Sequence, residues 1–418
     1  MSALSSAPPL RAFLRGALAA RPPAVHSITL CIGNEAADAD SIISSVCLAW
    51  IRSQQQPYLG VAVVPVVSVS RKELALRRET ELLLREVGLE FSDLICLDEV
   101  LSAEGVKTAV KSLILVDHNF LSARVAKEFP LASVDEILDH HQDANKYPSI
   151  PASKRIIAFD SGANEATAAS TCTLVAQQYL ASPPSSDSML DASISTLLLG
   201  VIAIDSHNGN PAMGRAYPPD LEAMNNLQPR SGVLDRDALY SKLSSAKLDV
   251  DFWRGLSMEQ CLVLDYKQQP IPTFCHGPDV GVSSVMQPVT EMLARPDAVP
   301  GFLLYMEQQS LDMLGVMSFV LTPEPARELL LVARSPQRAL QAHTFFTSPS
   351  SADLALAELP LREEIKEAAQ KSGLHLWHYS QGNVKASRKQ VLPLVKKFYE
   401  SIIEEIISEG GCGDSRSV

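Results

Sequence analysis

Apolar and polar side chains alternate over residues 27–32, where branched residues dominate. This pattern predicts a strand that stops at Gly33. The acidic stretch 34–40 follows, and residues 41–54 then have the apolar spacing of a helix, with Asp40 placed to cap its first turn. The pattern therefore predicts a strand, an acidic loop and a helix in that order.

Two further apolar runs continue this arrangement. Residues 61–69 and 112–116 predict buried strands, and the charged stretch 72–88 between them predicts a helix. Because helix-length segments separate the strands, the pattern favours a parallel sheet with crossover connections. In such a sheet, groups that bind ligands gather at the carboxyl ends of the strands.

The second half of the chain predicts another domain. Residues 211–240 are rich in Pro, Gly, Asn and Arg, which is typical of a linker. The apolar patterns beyond it predict a helix over 254–267, strands over 301–306, 314–321 and 328–333, and helices over 361–371 and 390–408. The predicted fold class is therefore α/β, with a parallel-sheet domain followed by a smaller α/β domain.

Acidic and imidazole side chains stand just past several apolar segments, which we interpret as strands. We expect these groups to converge on one crevice, where cations would offset their mutual repulsion. The residues at these positions are Asp38 and Asp40, Asp117, Asp139 with His140 and His141, and Asp205 after the apolar run 196–204.

Composition restricts the classes of partner. The chain has 36 Lys and Arg against 48 Asp and Glu, and the net charge of -12 disfavours nucleic acid and anionic membranes. A polyanionic ligand would need local basic groups or metal ions. The 7 cysteines form no CxxC pair, which disfavours a disulfide framework or a zinc ribbon. No apolar run approaches the roughly 20 residues of a transmembrane helix, so we do not expect the protein to span a membrane.

The amino-terminal segment leaves two interpretations open. It contains Arg11, Arg15 and Arg21 but no acid before Glu35, and residues 9–20 predict a short amphipathic helix. This helix is either a mitochondrial transit peptide or a surface helix packed beside the first strand. Scattered cysteines favour a reducing interior, so we expect a cytoplasmic protein and leave a mitochondrial fraction open.

The Asp-His-His run at 139–141 gains its weight from the other acids. An isolated Asp-His pair is typical of a surface pair or a satisfied core histidine, and a single acid at a strand end often caps a helix. Four acidic segment ends together with this run suit two divalent ions with mixed oxygen and nitrogen ligands. That geometry is suited to in-line displacement at phosphorus.

Four segments resemble the motifs of the DHH phosphoesterase superfamily, in order and at suitable spacing. They are Gly33-Asn-Glu-Ala-Ala-Asp-Ala-Asp-Ser-Ile42, Val116-Asp-His-Asn119, Asp139-His-His141 and Ile204-Asp-Ser-His-Asn208. Residues 264–267 and 387–391 resemble substrate-binding motifs of the DHHA2-type carboxy-terminal domain of family II pyrophosphatases, eukaryotic exopolyphosphatases and prune-like proteins. The first motif is most similar to that of eukaryotic, yeast-type exopolyphosphatases, because Asn34 stands where the pyrophosphatases have a histidine ligand.

The resemblance implies a set of metal ligands. Asp38 and Asp117 would hold one divalent ion, and Asp117 would bridge to a second ion held also by Asp40, His140 and Asp205. Asp117, His140 and His141 are implied as the catalytic group, with a water bridging the ions as nucleophile and His141 contacting phosphate. An amide in place of imidazole at Asn34 makes the site harder, which favours Mg²⁺, with Mn²⁺ or Co²⁺ as alternatives.

The resemblance also implies substrate contacts. Lys267, Arg388 and Lys389 would clamp phosphates from the second domain, and Ser387 would cap a helix whose amino terminus holds an anion. Without the resemblance, this basic run is typical of a solvated face. The first domain would contribute Asn34, His118 and His141, although a structural hydrogen bond is an equal interpretation for His118. Residues 168–175 predict a helix that either points its amides at the site or is simply buried.

The implied function is an exopolyphosphatase that removes terminal phosphate from linear inorganic polyphosphate, as a monomer, in a cleft between two domains. Alternatives are a prune-like enzyme for short polyphosphates or cyclic nucleotides, an inorganic pyrophosphatase, which Asn34 disfavours, and a scaffold that binds polyphosphate without turnover. The expected boundaries are an extension over 1–26, a DHH domain over 27–212, a linker over 213–240, a DHHA2 domain over 241–408 and a disordered tail over 409–418.

Overall fold

The computed structural model describes residues 9–19, 26–55, 61–181, 187–269, 279–321 and 324–408. It divides into two compact units, Met1–Lys247 and Leu248–Val418. The predicted disordered tail lies outside the described residues.

The first unit alternates strands and helices, as the apolar pattern predicts. Its strands are β1 (Ser27–Ile32), β2 (Val61–Val66), β3 (Val110–Val116), β4 (Ser133–Asp139), β5 (Arg155–Ile157), β6 (Phe159–Asp160) and β7 (Glu165–Ala166). Its helices are α1 (Pro9–Ala19), α2 (Ala39–Gln55), α3 (Arg71–Leu74), α4 (Arg78–Glu86), α5 (Leu97–Ser102), α6 (Val106–Ala109), α7 (Ala123–Glu128), α8 (Thr171–Ala181), α9 (Ser188–Asp205), α10 (Pro218–Ser231) and α11 (Arg236–Lys247).

Among the described residues, five strands of the first unit form a parallel sheet in the order β2-β1-β3-β4-β5. Successive residues of β3 divide between two apolar clusters. Leu113 and Leu115 belong to one cluster, whereas Ile114 and Val116 belong to the cluster that contains α2, α8 and α9. Both faces of the sheet are thus covered, which explains why its strands are nearly continuous apolar runs.

The second unit contains the strands β8 (Tyr266–Gln269), β9 (Asp279–Val285), β10 (Leu311–Ser318), β11 (Glu328–Ala333), β12 (Leu356–Glu358) and β13 (His375–Gln381). Its helices are α12 (Val250–Gly255), α13 (Met258–Leu264), α14 (Val289–Leu293), α15 (Ala298–Gln308), α16 (Pro336–Phe346), α17 (Glu363–Lys371) and α18 (Arg388–Ser408). In the part of the chain that the structure describes, these strands form one six-stranded sheet, β12-β13-β11-β10-β9-β8. Only the β9–β10 pairing is parallel among its described pairings. The helices α16 and α18 share an apolar cluster with this sheet.

Two apolar runs predicted as strands are helices instead. The run 196–204 belongs to α9, so Asp205 ends a helix and not a strand. The run 301–306 lies within α15. Both segments pack into their units, and a short run that is apolar on every side has the same appearance in a buried helix and a buried strand. By length and composition α9 could cross a membrane, but 67% of it is buried, as in a core helix.

Three other segments differ from the sequence pattern. The predicted helix over 254–267 covers the end of α12, all of α13 and the start of β8. The expected linker over 213–240 contains α10 and the start of α11, and both helices pack against α9 within the first unit. Pro218 lies in the first turn of α10, where its missing N–H is not needed, so proline content did not indicate a linker here. The predicted helix over 72–88 is divided into α3 and α4 by residues 75–77.

Candidate metal and phosphate site

The carboxyl ends of β1, β3 and β4 lie side by side, because these strands are neighbours in the parallel sheet. Asn34 follows β1, Asp117 directly follows β3, and Asp139 is the last residue of β4. Asp117 has a φ of 60°, in the left-handed region that side chains with a Cβ rarely adopt. Such strain persists only where the surrounding contacts hold it, and it is frequent at functional sites.

Asp117 is 2% exposed and is held by hydrogen bonds on one side of its carboxylate. Its Oδ2 accepts from Nδ2 of Asn34 at 2.6 Å and from Oγ of Ser41 at 2.7 Å. Nδ2 of Asn34 also donates to the carbonyl of Asp117 at 3.1 Å. The other oxygen, Oδ1, faces the two histidines described below.

The start of α2 approaches β1 very closely. A Cβ on Gly33 would lie 2.7 Å from Cβ of Ser41 and 2.9 Å from its carbonyl oxygen, so only glycine fits here without a shift. Asp38, and not the predicted Asp40, caps this end of α2, because its Oδ1 accepts from the backbone N–H of Ser41. The buried guanidinium of Arg77 donates to the carbonyls of Ala36 and Ala37 and so holds the acidic loop.

Asp40 is buried against the amino terminus of α8. Its Oδ2 accepts from the backbone N–H of Thr171 at 2.7 Å, and its Oδ1 accepts from that of Cys172 at 2.8 Å and from Oγ of Ser170 at 2.6 Å. Burial, together with the charges of Asp117 and Asp205, raises the pKa of Asp40 to about 7. The amides of the helix predicted over 168–175 therefore do point at a proposed ligand.

His140 brings the two acidic residues together. Its Nε2 lies 3.3 Å from Oδ1 of Asp117 and 3.6 Å from Oδ2 of Asp40. On the opposite side of the ring, Nδ1 lies 3.1 Å from the carbonyl of Ala168, which can only accept, so Nδ1 carries a proton. In a neutral His140 the lone pair is therefore on Nε2, which faces the two carboxylates.

His141 is held by Asp139. Nδ1 of His141 lies 2.8 Å from Oδ1 of Asp139, which also accepts from the backbone N–H groups of His140 and His141. Nδ2 of Asn119 donates to the other oxygen of Asp139. Asp139 is fully buried and orients the two histidines. His141 keeps 23% of its side chain exposed to solvent.

This arrangement fits a cation. The candidate ligand atoms of Asp117, His140 and His141 all lie within 4.8 Å of one another. An imidazole nitrogen and two carboxylate oxygens face one another here, and a positive charge between them would offset the repulsion of the two carboxylates. Mixed carboxylate and imidazole ligands suit divalent ions such as Mn²⁺ and Mg²⁺.

The remaining predicted residues of the first unit lie around this group. Asp38 and Asp205 act on it through their charges, since both raise the pKa of Asp40. Oδ1 of Asp205 lies 4.0 Å from Nζ of Lys247. Nδ1 of His118 lies 2.9 Å from the carbonyl of Val116, and burial lowers the pKa of His118. Of the two interpretations of His118, this contact favours the structural hydrogen bond.

In the second unit, the two basic motifs predicted from sequence lie together. Arg388, at the start of α18, donates through Nη2 to Oδ1 of Asp265 at 2.7 Å and through Nη1 to its carbonyl. Asp265 precedes β8, which carries Lys267. The backbone N–H of Ser387 donates to Oε1 of Gln390, which closes the amino-terminal turn of α18. The side chain of Lys389 is not among those that the structure describes.

Sequence reasoning missed several residues that support the site. Ser41 and Asn119 lie inside the quoted motifs, so their positions were a usable signal. Ser170 lies within the helix predicted over 168–175, but its hydroxyl was assigned no role. Asp220 lies far along the chain from the acids, and no local pattern connects it to the site. The roles assigned to the predicted metal, catalytic and substrate-binding residues stay predictions.

Comparison with known proteins identifies the family. Residues 28–207 match the DHH family, N-terminal domain, and residues 241–398 match the DHHA2 domain. The chain is 31% identical over 389 residues to the "Putative exopolyphosphatase" of Schizosaccharomyces pombe, covering 88% of this chain and 90% of that protein. The chain therefore belongs to the DHH family of phosphoesterases, in the group that carries a DHHA2 domain.

Other relatives and one solved structure agree with this assignment. Exopolyphosphatase PRUNE1 of Rattus norvegicus is 29% identical over 385 residues, covering 91% of this chain and 77% of that protein. Exopolyphosphatase PRUNE1 of Homo sapiens is 28% identical over 411 residues, covering 97% and 83%. The crystal structure of a "putative family II inorganic pyrophosphatase" from Methanococcus jannaschii has a similar fold, with a TM-score of 0.55 at 20% identity, covering 89% of this chain and 99% of that one. The predicted family and α/β fold class are confirmed.

Proposed function

We propose that this protein is an exopolyphosphatase that removes terminal phosphate from linear inorganic polyphosphate with the help of two divalent cations. The observation that carries the proposal is the buried convergence of Asp117, Asp40 and Nε2 of His140, with Nδ1 of His140 tied to a backbone carbonyl. The names of the relatives, all exopolyphosphatases, support the choice of substrate.

Asp117, Asp40 and His140 would hold the cations, with Asp38 and Asp205 completing the set. Divalent ions bound here supply Lewis acidity at phosphorus and lower the pKa of a coordinated water. Ser41 and Asn34 hold Oδ2 of Asp117, so Oδ1 stays directed at the histidines. The amino terminus of α8 holds both oxygens of Asp40.

His141 is the group of this chain that would contact the substrate. Asp139 accepts from Nδ1 of His141, so Nε2 is the remaining polar atom of the ring. In the protonated ring, Nε2–H would donate to a phosphate oxygen, and Asp139 would stabilise the positive charge. The ring is partly exposed, in contrast to His140.

The second unit would bind the rest of the polyanion. Arg388 and Lys267 lie on adjoining parts of this unit, joined by the Arg388–Asp265 pair. Basic groups are needed for such a substrate because the chain as a whole carries a net charge of -12. Binding of this substrate between the two units stays a prediction.

Mg²⁺ is the proposed working ion, with Mn²⁺ or Co²⁺ as alternatives. Nδ2 of Asn34 donates to Asp117, and Oδ1 of Asn34 accepts from the N–H of Ala36. Asn34 therefore supports a carboxylate ligand, whereas an imidazole at this position would itself be a softer ligand. An oxygen-rich set favours the harder ion. Activity with Mn²⁺ or Co²⁺ but not with Mg²⁺ would refute this assignment.

The second candidate is a short-chain polyphosphatase of the prune type, which the PRUNE1 relatives favour. Phosphate release from long polyphosphate, tripolyphosphate, pyrophosphate and a cyclic nucleotide separates the two. Cleavage of long chains with pyrophosphate left intact supports the exopolyphosphatase, whereas activity confined to tripolyphosphate or the cyclic nucleotide assigns the prune type. Binding of polyphosphate without turnover would refute both and leave a scaffold.

A further inference from the structure

The segment 168–173 supports the candidate metal site from behind. The carbonyl of Ala168 accepts from Nδ1 of His140, and the backbone N–H groups of Thr171 and Cys172 donate to Asp40. The position of this segment therefore determines where Nε2 of His140 and both oxygens of Asp40 lie. Another residue holds the segment 168–173 itself in place.

Asp220, in the first turn of α10, is fully buried and holds this segment in place. Its carboxylate accepts from the backbone N–H of Ala169 at 3.0 and 3.1 Å and from Oγ1 of Thr173 at 2.6 Å. It also accepts from the backbone N–H of Tyr217 at 2.9 Å, which caps its own helix. One carboxylate thus joins the start of α10 to the start of α8.

A single peptide group connects Asp220 to His140. The peptide between Ala168 and Ala169 accepts from Nδ1 of His140 through its oxygen and donates to Asp220 through its nitrogen. A hydrogen-bonded chain of this kind polarises along its length, so a negative charge at one end strengthens the bond at the other. In metal sites, such partners fix the tautomer of a ligand histidine and raise its basicity.

We infer that Asp220 is a positioning residue that sets the metal affinity of the site, acting on His140 through one peptide group and on Asp40 through the start of α8. The charge of Asp220 also interacts with His140, but Asp220 is assigned no contact with metal or substrate. This inference rests on the metal site of the proposed function but not on the identity of the substrate.

A matched control is available at the other end of α8. Asp191 on α9 accepts a hydrogen bond from the hydroxyl of Tyr179, near the carboxyl end of α8. Asp191→Asn therefore loosens the same helix without disturbing the segment 168–173. A purely structural role of Asp220 would give the two variants the same behaviour.

The test is to titrate the metal-free full chain with Mn²⁺ in the absence of substrate. The free ion is measured by its electron paramagnetic resonance. Asp220→Asn keeps the size of the side chain but loses its charge, and should weaken Mn²⁺ binding by roughly 10- to 100-fold, as is typical for such partners of ligands. Asp191→Asn should leave Mn²⁺ affinity unchanged even where its melting temperature falls. Equal affinities for Asp220→Asn and the unaltered chain would overturn the inference.

If Asp220→Asn does not fold, Thr173→Val replaces it. That variant keeps the carboxylate but removes the side-chain contact that fixes the start of α8 to Asp220. The segment 168–173 is then held less firmly, so Mn²⁺ binding should weaken while the fold is retained, and unchanged affinity would overturn the inference. Failure of the unaltered chain to bind Mn²⁺ would refute the proposed metal site itself. Failure of polyphosphate hydrolysis alone would leave the inference about Asp220 standing.

Discussion

Nδ2 of Asn34 lies 2.6 Å from Oδ2 of Asp117, and Oδ1 of Asn34 accepts from the N–H of Ala36 at 2.9 Å. A carboxylate can only accept and a backbone N–H can only donate, so this is the amide orientation that satisfies both contacts. Asn34 therefore acts as a donor that orients Asp117.

Asn34→Ala removes two hydrogen bonds to Asp117 and should lower phosphate release. Hydrogen bonds to charged groups are worth about 1.5–3 kcal/mol, so we expect a loss of roughly one to two orders of magnitude at fixed Mg²⁺. Asn34→Asp should be worse, because it places a second carboxylate against Oδ2 of Asp117. The rate of phosphate release for both variants checks this order, and Asn34→Asp with unaltered activity would refute the donor role.

Gly33→Ala should impair both stability and activity. The added Cβ would meet Cβ and the carbonyl of Ser41, so the start of α2, with Asp40 and Ser41, has to move. Gly16→Ala is the matched control, since a Cβ there meets nothing within 4 Å and alanine favours the helix α1. We expect a lower melting temperature and weaker Mn²⁺ binding for Gly33→Ala alone. Equal behaviour of the two variants would contradict the close packing at Gly33.

Arg388→Lys keeps a positive charge but lacks the planar fork through which Arg388 donates to both the carbonyl and Oδ1 of Asp265. The pairing of α18 with the end of α13 would loosen and the basic group would be less well positioned. We therefore expect the KM for polyphosphate to rise by roughly tenfold, as for one lost hydrogen bond to a charged group. Mn²⁺ affinity should not change. Lys385→Ala, which removes an exposed charge from the preceding loop, serves as control. An unchanged KM for Arg388→Lys would argue against a substrate role for this region.

A carboxylate of the second unit should contribute a measurable pH dependence of stability. Burial of Glu328 opposes its ionisation, but hydrogen bonds from His378 and from the N–H and hydroxyl of Thr290 outweigh it and lower the pKa of Glu328 below its usual value of 4.5. A lowered folded pKa stabilises the protein above the unfolded pKa, and this stability is lost as the pH falls through the folded pKa. Thermal melts from pH 7 to pH 3 should therefore fall more steeply for the unaltered chain than for Glu328→Gln. Parallel curves would contradict this assignment.

The strands β1 and β3 and the acids that follow them could be predicted from sequence. Apolar and polar residues alternate along β1, β3 contains a continuous apolar run, and clear breaks end both. The ends of parallel strands meet by topology, so Asp117 and Asp139 follow from the strand pattern once the sheet order is known. The prediction that Asp205 ends a strand was wrong, because Asp205 ends the helix α9. The run before it is apolar on every side and shows no helical period.

Partners from distant parts of the chain could not be predicted. Asp220 lies behind two prolines in a segment whose composition is typical of a linker, and its contacts with Ala169 and Thr173 arise only when α8 and α10 pack together. Ser170 likewise reaches Asp40 through tertiary packing. Hydrophobic periodicity reports which face of an element is buried and not which buried polar groups meet.

The measurement that tests the account most directly is phosphate release from long polyphosphate by the full chain with Mg²⁺, compared with Asp117→Asn at the same folded fraction. Asp117→Asn keeps the size of the side chain, but it removes the charge that lies between the acidic loop and the histidines. We predict that the unaltered chain releases phosphate only with a divalent ion present, and that Asp117→Asn loses at least roughly a thousandfold in rate, about 4 kcal/mol of barrier. Undiminished release by Asp117→Asn, or full activity of the unaltered chain after chelation of divalent ions, would contradict the central claim.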